Sequence, residues 1–302
     1  MGLIGMDIEK FIRRRKELKL SQVKLCKGIC TQATLSKFER NGRVPSLSIL
    51  DKLCARLGLT VDELNDNTTN SLTVVRRQLD EVERELMMEE YQPVQKWAAE
   101  ADESKITAIP LRMQFFYLRG LLNALTNKSP DDILFDFSQI LDDLDEVHQS
   151  IFTQLAYVGS GIMYRRRHQL ARADFFFKKA YTYINQTLVT SEKSDQVNNY
   201  LRILTLIFYT ADYYASKKDY DRSNKLIQLG VTLCSSKHVT YYLPRLKFLA
   251  AENAIHGNAE AEVINRLLDE ALVFARINHN EVIQMRVAAT RNIIRNTKNT
   301  VD

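Results

Sequence analysis

The 302-residue sequence predicts an all-α protein. Apolar residues recur at i, i+3, i+4 and i+7 almost throughout, the spacing that lines one face of a helix with 3.6 residues per turn. Glycines number only ten and prolines five, so few positions interrupt that pattern. No segment reads as a β-strand.

The elements follow in order. A first helix is expected from about Asp7 to Leu18, with Ile8, Phe11, Ile12 and Arg15 at helical spacing. Ser21 heads a second, because a hydroxyl at that position accepts a hydrogen bond from a free backbone N–H of the first turn. Gly28 lies near its end, and Ile29 packs into the turn. Thr31 caps a third helix whose inner face is Leu35 and Phe38, and Asn41-Gly42 stops it. After Pro45, Ser46 or Ser48 opens a fourth, with Leu47, Leu50, Leu53, Cys54 and Leu57 inward and Gly58 at its end. Thr60 caps a short fifth, from Val61 to Leu64. These five short helices form one compact domain over residues 1–65.

Asp66-Asn67-Thr68-Thr69-Asn70-Ser71 is polar and helix-averse, which predicts a linker over residues 66–71. Helical hairpins then follow to the C-terminus. Gly161, Tyr164, Leu170, Ala173, Phe177 and Ala180 are spaced by 3, 6, 3, 4 and 3 residues. That spacing of small, aromatic and bulky residues matches the tetratricopeptide pattern, in which two helices of a repeat pack closely. Ala211, Tyr214, Tyr220, Ser223, Ile227 and Gly230 repeat it with identical spacing, a degenerate copy spans Phe248 to Ala271, and Gly120 marks a fourth. The 50-residue interval between the first two copies exceeds the usual repeat, so an extended helix or loop is expected. Residues 72–302 therefore read as a degenerate tetratricopeptide-like α-solenoid, whose inner surface suits an extended peptide.

No run approaches 18 apolar residues and no signal peptide heads the chain, so neither a membrane span nor secretion is expected. Cys26, Cys30, Cys54 and Cys234 form no Cys-x-x-Cys pair and read as small apolar residues in a reducing cytoplasm; no metal site is expected. Residues 1–65 hold thirteen Lys and Arg against seven Asp and Glu, while the remainder carries a net charge of −1. The positive surplus thus sits where DNA phosphates would use it.

The second and third helices have the pattern of a DNA-reading helix-turn-helix. In that motif the first residues of the second of these helices meet base edges in the major groove. Thr31, Gln32, Ala33 and Thr34 occupy that place, with Lys37 one turn on. Glutamine can pair bidentately with adenine, and an alanine methyl can contact that of thymine. Gln22 is placed for a phosphate at a helix N-terminus, and Arg40, Asn41 and Arg43 flank the groove for backbone contacts. Arg15 and Glu39 are expected to pair and tie the first helix to the third.

The segments Leu20-Ser21-Gln22, Thr31-Gln32, Ser36-Lys37-Phe38-Glu39-Arg40, Pro45-Ser46-Leu47 and Leu57-Gly58-Leu59-Thr60-Val61-Asp62-Glu63-Leu64 resemble phage-repressor-type (XRE) helix-turn-helix domains. With the helical repeats behind them, the whole chain resembles the Rgg/PlcR/PrgX group of peptide-pheromone receptors. The resemblance implies a cytoplasmic homodimeric transcription factor whose C-terminal domain binds a short signalling peptide in quorum sensing. It transfers no peptide-binding motif, so those contacts are read physically. Asparagine can satisfy both the N–H and the C=O of an extended peptide, and arginine its carboxylate. On the first helices of the repeats the candidates are Arg119, Asn123, Tyr157, Tyr164, Asn198, Asn199, Arg202, Tyr209 and Asn253, with Arg119 or Arg202 for a carboxylate.

Dimerisation is expected from Glu281 to Asn296, where Val282, Ile283, Met285, Val287, Ile293 and Ile294 supply an apolar surface. Two heads would then read a palindromic operator. No phosphate loop, zinc-protease or nucleophile-elbow motif is present and the five histidines are scattered, so no catalysis and no cofactor are expected. The alternative is a ligand-independent dimeric repressor whose solenoid only dimerises.

Overall fold

The computed structural model describes the backbone of residues 7–64, 66–190 and 199–299, and the side chains of these except 62, 63, 66–71, 188–190 and 297–299. The described residues form helices joined by turns and loops and contain no strand. The chain divides into two compact units, Met1–Gln78 and Leu79–Asp302.

The first unit holds α1 (Ile8–Glu17), α2 (Gln22–Cys26), α3 (Gln32–Asn41), α4 (Leu47–Leu57) and α5 (Val61–Leu64). Asp7, Ser21 and Thr31 each cap a helix by accepting a backbone N–H three residues on. Ser46 stands at the head of α4 without such a bond. Gly42 and Gly58 end α3 and α4 in the left-handed conformation, at φ of +65° and +67°, which costs a glycine nothing. The core is Phe11, Leu25, Leu35, Phe38, Leu50, Leu53, Leu57 and Leu64 with Cys26 and Cys54. Phe11 meets Phe38 edge to face at 5.1 Å.

Residues 66–71 are not the expected linker: they are the opening turns of α6, which runs Asp66–Met87. Their weak helix propensity costs only tenths of a kcal/mol per residue. Extending an existing helix needs no new nucleus, and the amphipathic stretch beyond them, with Leu79, Val82, Leu86 and Met87 buried, provides one. The boundary between the units falls inside this helix.

The second unit continues with α7 (Tyr91–Glu100), α8 (Ile109–Leu125), α9 (Pro130–Ser138, prolonged by a π-helical turn to Leu144), α10 (Ile151–Arg166), α11 (Leu170–Thr190), α12 (Asn199–Ser216), α13 (Tyr220–Ser236), α14 (Leu243–His256), α15 (Ala261–Ile277) and α16 (Glu281–Asn299). Consecutive pairs from α8 to α15 form four hairpins, whose first helices pack side by side, and α16 closes the row against α14 and α15. The repeat pattern explains the packing. Ala173, Phe177 and Ala180 are fully buried, and a Cβ on Gly161 would stand 2.7 Å from the Phe177 ring. Phe177 in turn stacks on Tyr213 of the next hairpin at 4.0 Å. The long interval between copies includes the 21 residues of α11.

The scattered histidines have a structural reason. His148, His168, His238 and His279 lie in turns beside helix ends at φ between +52° and +60°, and His256 is the last residue of α14, stacked on Tyr220. Histidine is among the few non-glycine residues enriched in that conformation.

One buttress between hairpins gives a pH prediction. Asp174 on α11 accepts hydrogen bonds from Lys217 at 2.7 Å and Tyr213 at 3.2 Å, and pairs with Lys178 at 2.8 Å. Partial burial pushes its carboxyl up, but these three donors outweigh it and hold it at about 2. A carboxyl depressed in the folded state stabilises above its unfolded pKa and loses that contribution as pH falls through the folded one. The melting-temperature gap between wild type and Asp174→Asn is therefore expected to be constant above about pH 5 and to close between about pH 4 and 2.

Candidate nucleic-acid interface and ligand-facing helices

The residues expected to face DNA are held by a chain of side chains. Arg15 of α1 grips Glu39 of α3 with two hydrogen bonds, Nε to Oε1 at 2.7 Å and Nη2 to Oε2 at 2.8 Å, and its Nη1 donates to the Leu20 carbonyl at 2.8 Å. Both partners are largely buried, at 13% and 5% side-chain exposure. Glu39 Oε2 also accepts from Gln22 Nε2 at 2.8 Å, and Gln22 Oε1 accepts from Gln32 Nε2 at 2.6 Å. Gln32 at the start of α3 is thus positioned through α2 by an ion pair in the core of the motif. Arg56 of α4 pins the far end of α2 through the carbonyls of Leu25 and Lys27.

Thr31, Gln32, Ala33, Lys37, Arg40, Asn41 and Arg43 are all exposed, and Thr34 is half-buried with its hydroxyl 2.9 Å from that of Thr31. α3 therefore presents one continuous polar and basic edge. The Gln22 amide joins Glu39 to Gln32 and so orients a neighbour. Because Arg15 and Glu39 are mutually buried, alanine at either one strands the other charge and is expected to cost about 3 kcal/mol of stability. The double variant should cost less than the sum of the singles in denaturant titration.

The family model for a helix-turn-helix matches residues 12–64, the segment from α1 to α5. Residues 12–64 are a helix-turn-helix domain. No curated relative matches the chain. Among solved structures the chain is similar to PlcR of Bacillus thuringiensis in complex with the peptide PapR7 and DNA, at 12% identity and a TM-score of 0.56, over 94% of this chain and 99% of that one. It is also similar to ComR from S. thermophilus in complex with DNA and its signalling peptide ComS, at 16% identity and a TM-score of 0.50, over 94% and 97%. The apo form of that ComR shares 18% identity at the same TM-score and coverage. At such identities the likeness shows a shared fold: a helix-turn-helix domain followed by helical hairpins.

Behind the helix-turn-helix domain, the residues expected to face a ligand separate into three groups. Arg119 is held by Asp136 at 2.8 Å and Glu103 at 3.3 Å and lies over the Phe115 ring, while Asn123 reaches the same Asp136 at 3.3 Å. Tyr164 stacks on Phe176 beneath Arg172. Tyr157 lies under the Lys179 ammonium at 4.6 Å and lines a groove of about 660 Å³ with His148, Gln154, Phe175 and Lys178. Asn199 is half-buried at the start of α12, and Asn198 lies outside the described residues.

Arg202, Tyr209 and Asn253, expected as peptide contacts, are buried and bonded internally. Arg202 is buried against Glu83 of α6, Nε to Oε1 at 3.0 Å and Nη2 to Oε2 at 2.9 Å. The Tyr209 hydroxyl meets Arg245 at 3.4 Å. Asn253 donates to Ser223 and Asn224, both at 2.8 Å. The reason is that first helices are covered on two sides, by neighbouring hairpins and by the end of α6. That helix lays Asp80 and Glu83 on Gln114 of α8 and Glu83 on Arg202, and the turn after it sets Glu89 beside Arg245 of α14. Sequence reasoning missed this cluster, because Glu83 and Glu89 look like ordinary charges of an amphipathic helix.

The apolar surface of α16 also divides. Ile283 and Val287 are buried, and they and Ile294 pack against the α14–α15 hairpin. Val282, Met285 and Ile293 are exposed, as are Val273 and Ile277 on α15. Cys26, Cys54 and Cys234 are buried and Cys30 is half-exposed; burial pushes the Cys234 thiol up to about 11. No three His, Cys, Asp or Glu side chains converge as a metal site among the described residues, and no described helix is long and apolar enough to cross a membrane.

Proposed function

We propose that the chain is a cytoplasmic, non-catalytic transcriptional regulator. Its helix-turn-helix domain binds an operator, and its helical unit binds a short signalling peptide that alters operator binding. The carrying observation is the exposed edge of α3, locked in register by the Arg15–Glu39–Gln22–Gln32 chain. The peptide half is supported by the fold shared with PlcR and ComR, both solved with DNA and a peptide. The exposed residues of α15 and α16 would pair two copies, and two heads one helical turn apart read a palindromic site. Among the candidate contacts, Tyr157, which lines the groove, and the half-buried Tyr164 and Asn199 remain the proposed peptide ligands, with Arg119 and Asn123 at the edge of α8.

Selection of bound fragments from the genomic DNA of the source organism tests the operator half. An enriched palindrome, bound with a log Kd that rises linearly with log salt, is expected. Salt-independent or undetectable binding contradicts it. A second reading, a repressor that needs no ligand, is favoured by the internal engagement of Arg202, Tyr209 and Asn253. It predicts full operator affinity that no peptide changes.

A further inference from the structure

Arg245 stands on the first turn of α14, 5% exposed, with its guanidinium 3.8 Å over the Phe208 ring and flanked by Tyr209 and Tyr242. Its counter-ion fits poorly. Nε is 3.6 Å from Oε1 of Glu89, and Nη2 reaches only the Tyr209 hydroxyl, at 3.4 Å. Nη1 is buried with no hydrogen-bond partner among the described residues. A guanidinium presents a planar fork of N–H donors that a carboxylate satisfies two at a time at about 2.7–2.9 Å. Arg202, on the neighbouring first helix, shows the filled arrangement, with Glu83 at 3.0 and 2.9 Å. Arginine stays protonated when buried, so Arg245 cannot shed its charge to relieve the mismatch.

The donor of that ill-fitting carboxylate is itself constrained. Glu89 lies in the turn between α6 and α7 at φ +64°, where non-glycine residues are strained, and its other oxygen meets only the Asn280 amide, at 3.4 Å. The 3.6 Å contact that Glu89 makes falls short of the paired geometry that a freely aligned carboxylate makes with the fork.

We propose that Arg245 is a carboxylate receptor on the row of first helices, held by Glu89 until a carboxylate of a peptide ligand takes Glu89's place. This rests on the peptide-binding reading above and adds the chemical group the ligand must bring: a free C-terminus or an acidic side chain. The exchange frees the turn at Glu89 that follows α6.

Acetate, the fragment that Glu89→Ala removes, is the probe. The full-length Glu89→Ala variant is melted in rising sodium acetate and in sodium chloride of equal ionic strength. A saturable rise in melting temperature with acetate alone is expected, and it should vanish in Glu89→Ala with Arg245→Met. If Glu89→Ala does not fold, Glu89→Gln takes the same test with a smaller shift expected. An acetate response no larger than that of chloride, or one that survives Arg245→Met, overturns the proposal. N-acetyl-trialanine with a free C-terminus and N-acetyl-Ala-Glu-Ala-amide then separate a terminal from a side-chain carboxylate; a response to neither overturns the peptide part. Acetate reads Arg245 without DNA or a signalling peptide, so its failure and the failure of the regulator reading are distinguishable.

Discussion

Arg202→Ala is expected to destabilise the helical unit by about 3–5 kcal/mol at neutral pH, the largest single effect in this molecule. Glu83 is buried and relies on Arg202, with Gln114 as its remaining partner at 2.9 Å. Burial already raises the Glu83 carboxyl above the usual range, with the Arg202 charge and hydrogen bonds working against it. Without Arg202 the carboxyl rises further. A group whose folded pKa lies above its unfolded value loses stabilisation as pH rises through the folded pKa. The deficit of Arg202→Ala should therefore grow from pH 5 to pH 8, and urea titrations at several pH values would show it. Replacing both members, Glu83→Gln with Arg202→Met, strands no charge and should cost less than Arg202→Ala alone. A double variant as unstable as the single one would show that the pair does not act as described.

Gln32→Ala is expected to weaken operator binding by about 1–3 kcal/mol and to relax the preference at one base position, as loss of a bidentate base contact does. Arg43→Ala should instead weaken binding to all sequences alike and lower the salt slope by about one phosphate. Gln22→Ala separates orientation from contact. It removes the acceptor that holds Gln32 at 2.6 Å, so it should lower specificity while leaving the salt slope nearly unchanged. Competition binding to an operator and its single-base variants reads all three. An equal loss on every sequence for Gln32→Ala would move that residue to the phosphate backbone.

Local signals made the first unit legible. Caps at Ser21 and Thr31, glycine stops at Gly42 and Gly58, and the burial of Leu35 and Phe38 follow from residues within one turn of each other. The Arg15–Glu39 pair was readable because the motif fixes the helices that carry it. In the second unit, periodic small residues marked the hairpins, and Gly161 against Phe177 is the contact that spacing implies. What local reasoning missed is long-range. The polar run 66–71 joins a helix because the stretch after it nucleates one, which propensity does not register. Arg202 and Glu83 are separated by 119 positions, and nothing in either neighbourhood names the other. Arg202, expected to meet a ligand, is thus engaged with α6, the element whose amphipathic pattern gives no hint of which helices it covers.

The most direct test of the regulator reading is operator affinity measured with and without short peptides encoded beside the gene. The single tryptophan, Trp97, reports peptide binding independently: it is buried on α7, edge to face with Phe115 of α8 at 5.4 Å. Saturable peptide binding by Trp97 fluorescence, with an operator Kd shifted about 5-fold or more, is the predicted result. An operator Kd that stays the same with every such peptide would contradict it and leave a repressor that needs no ligand.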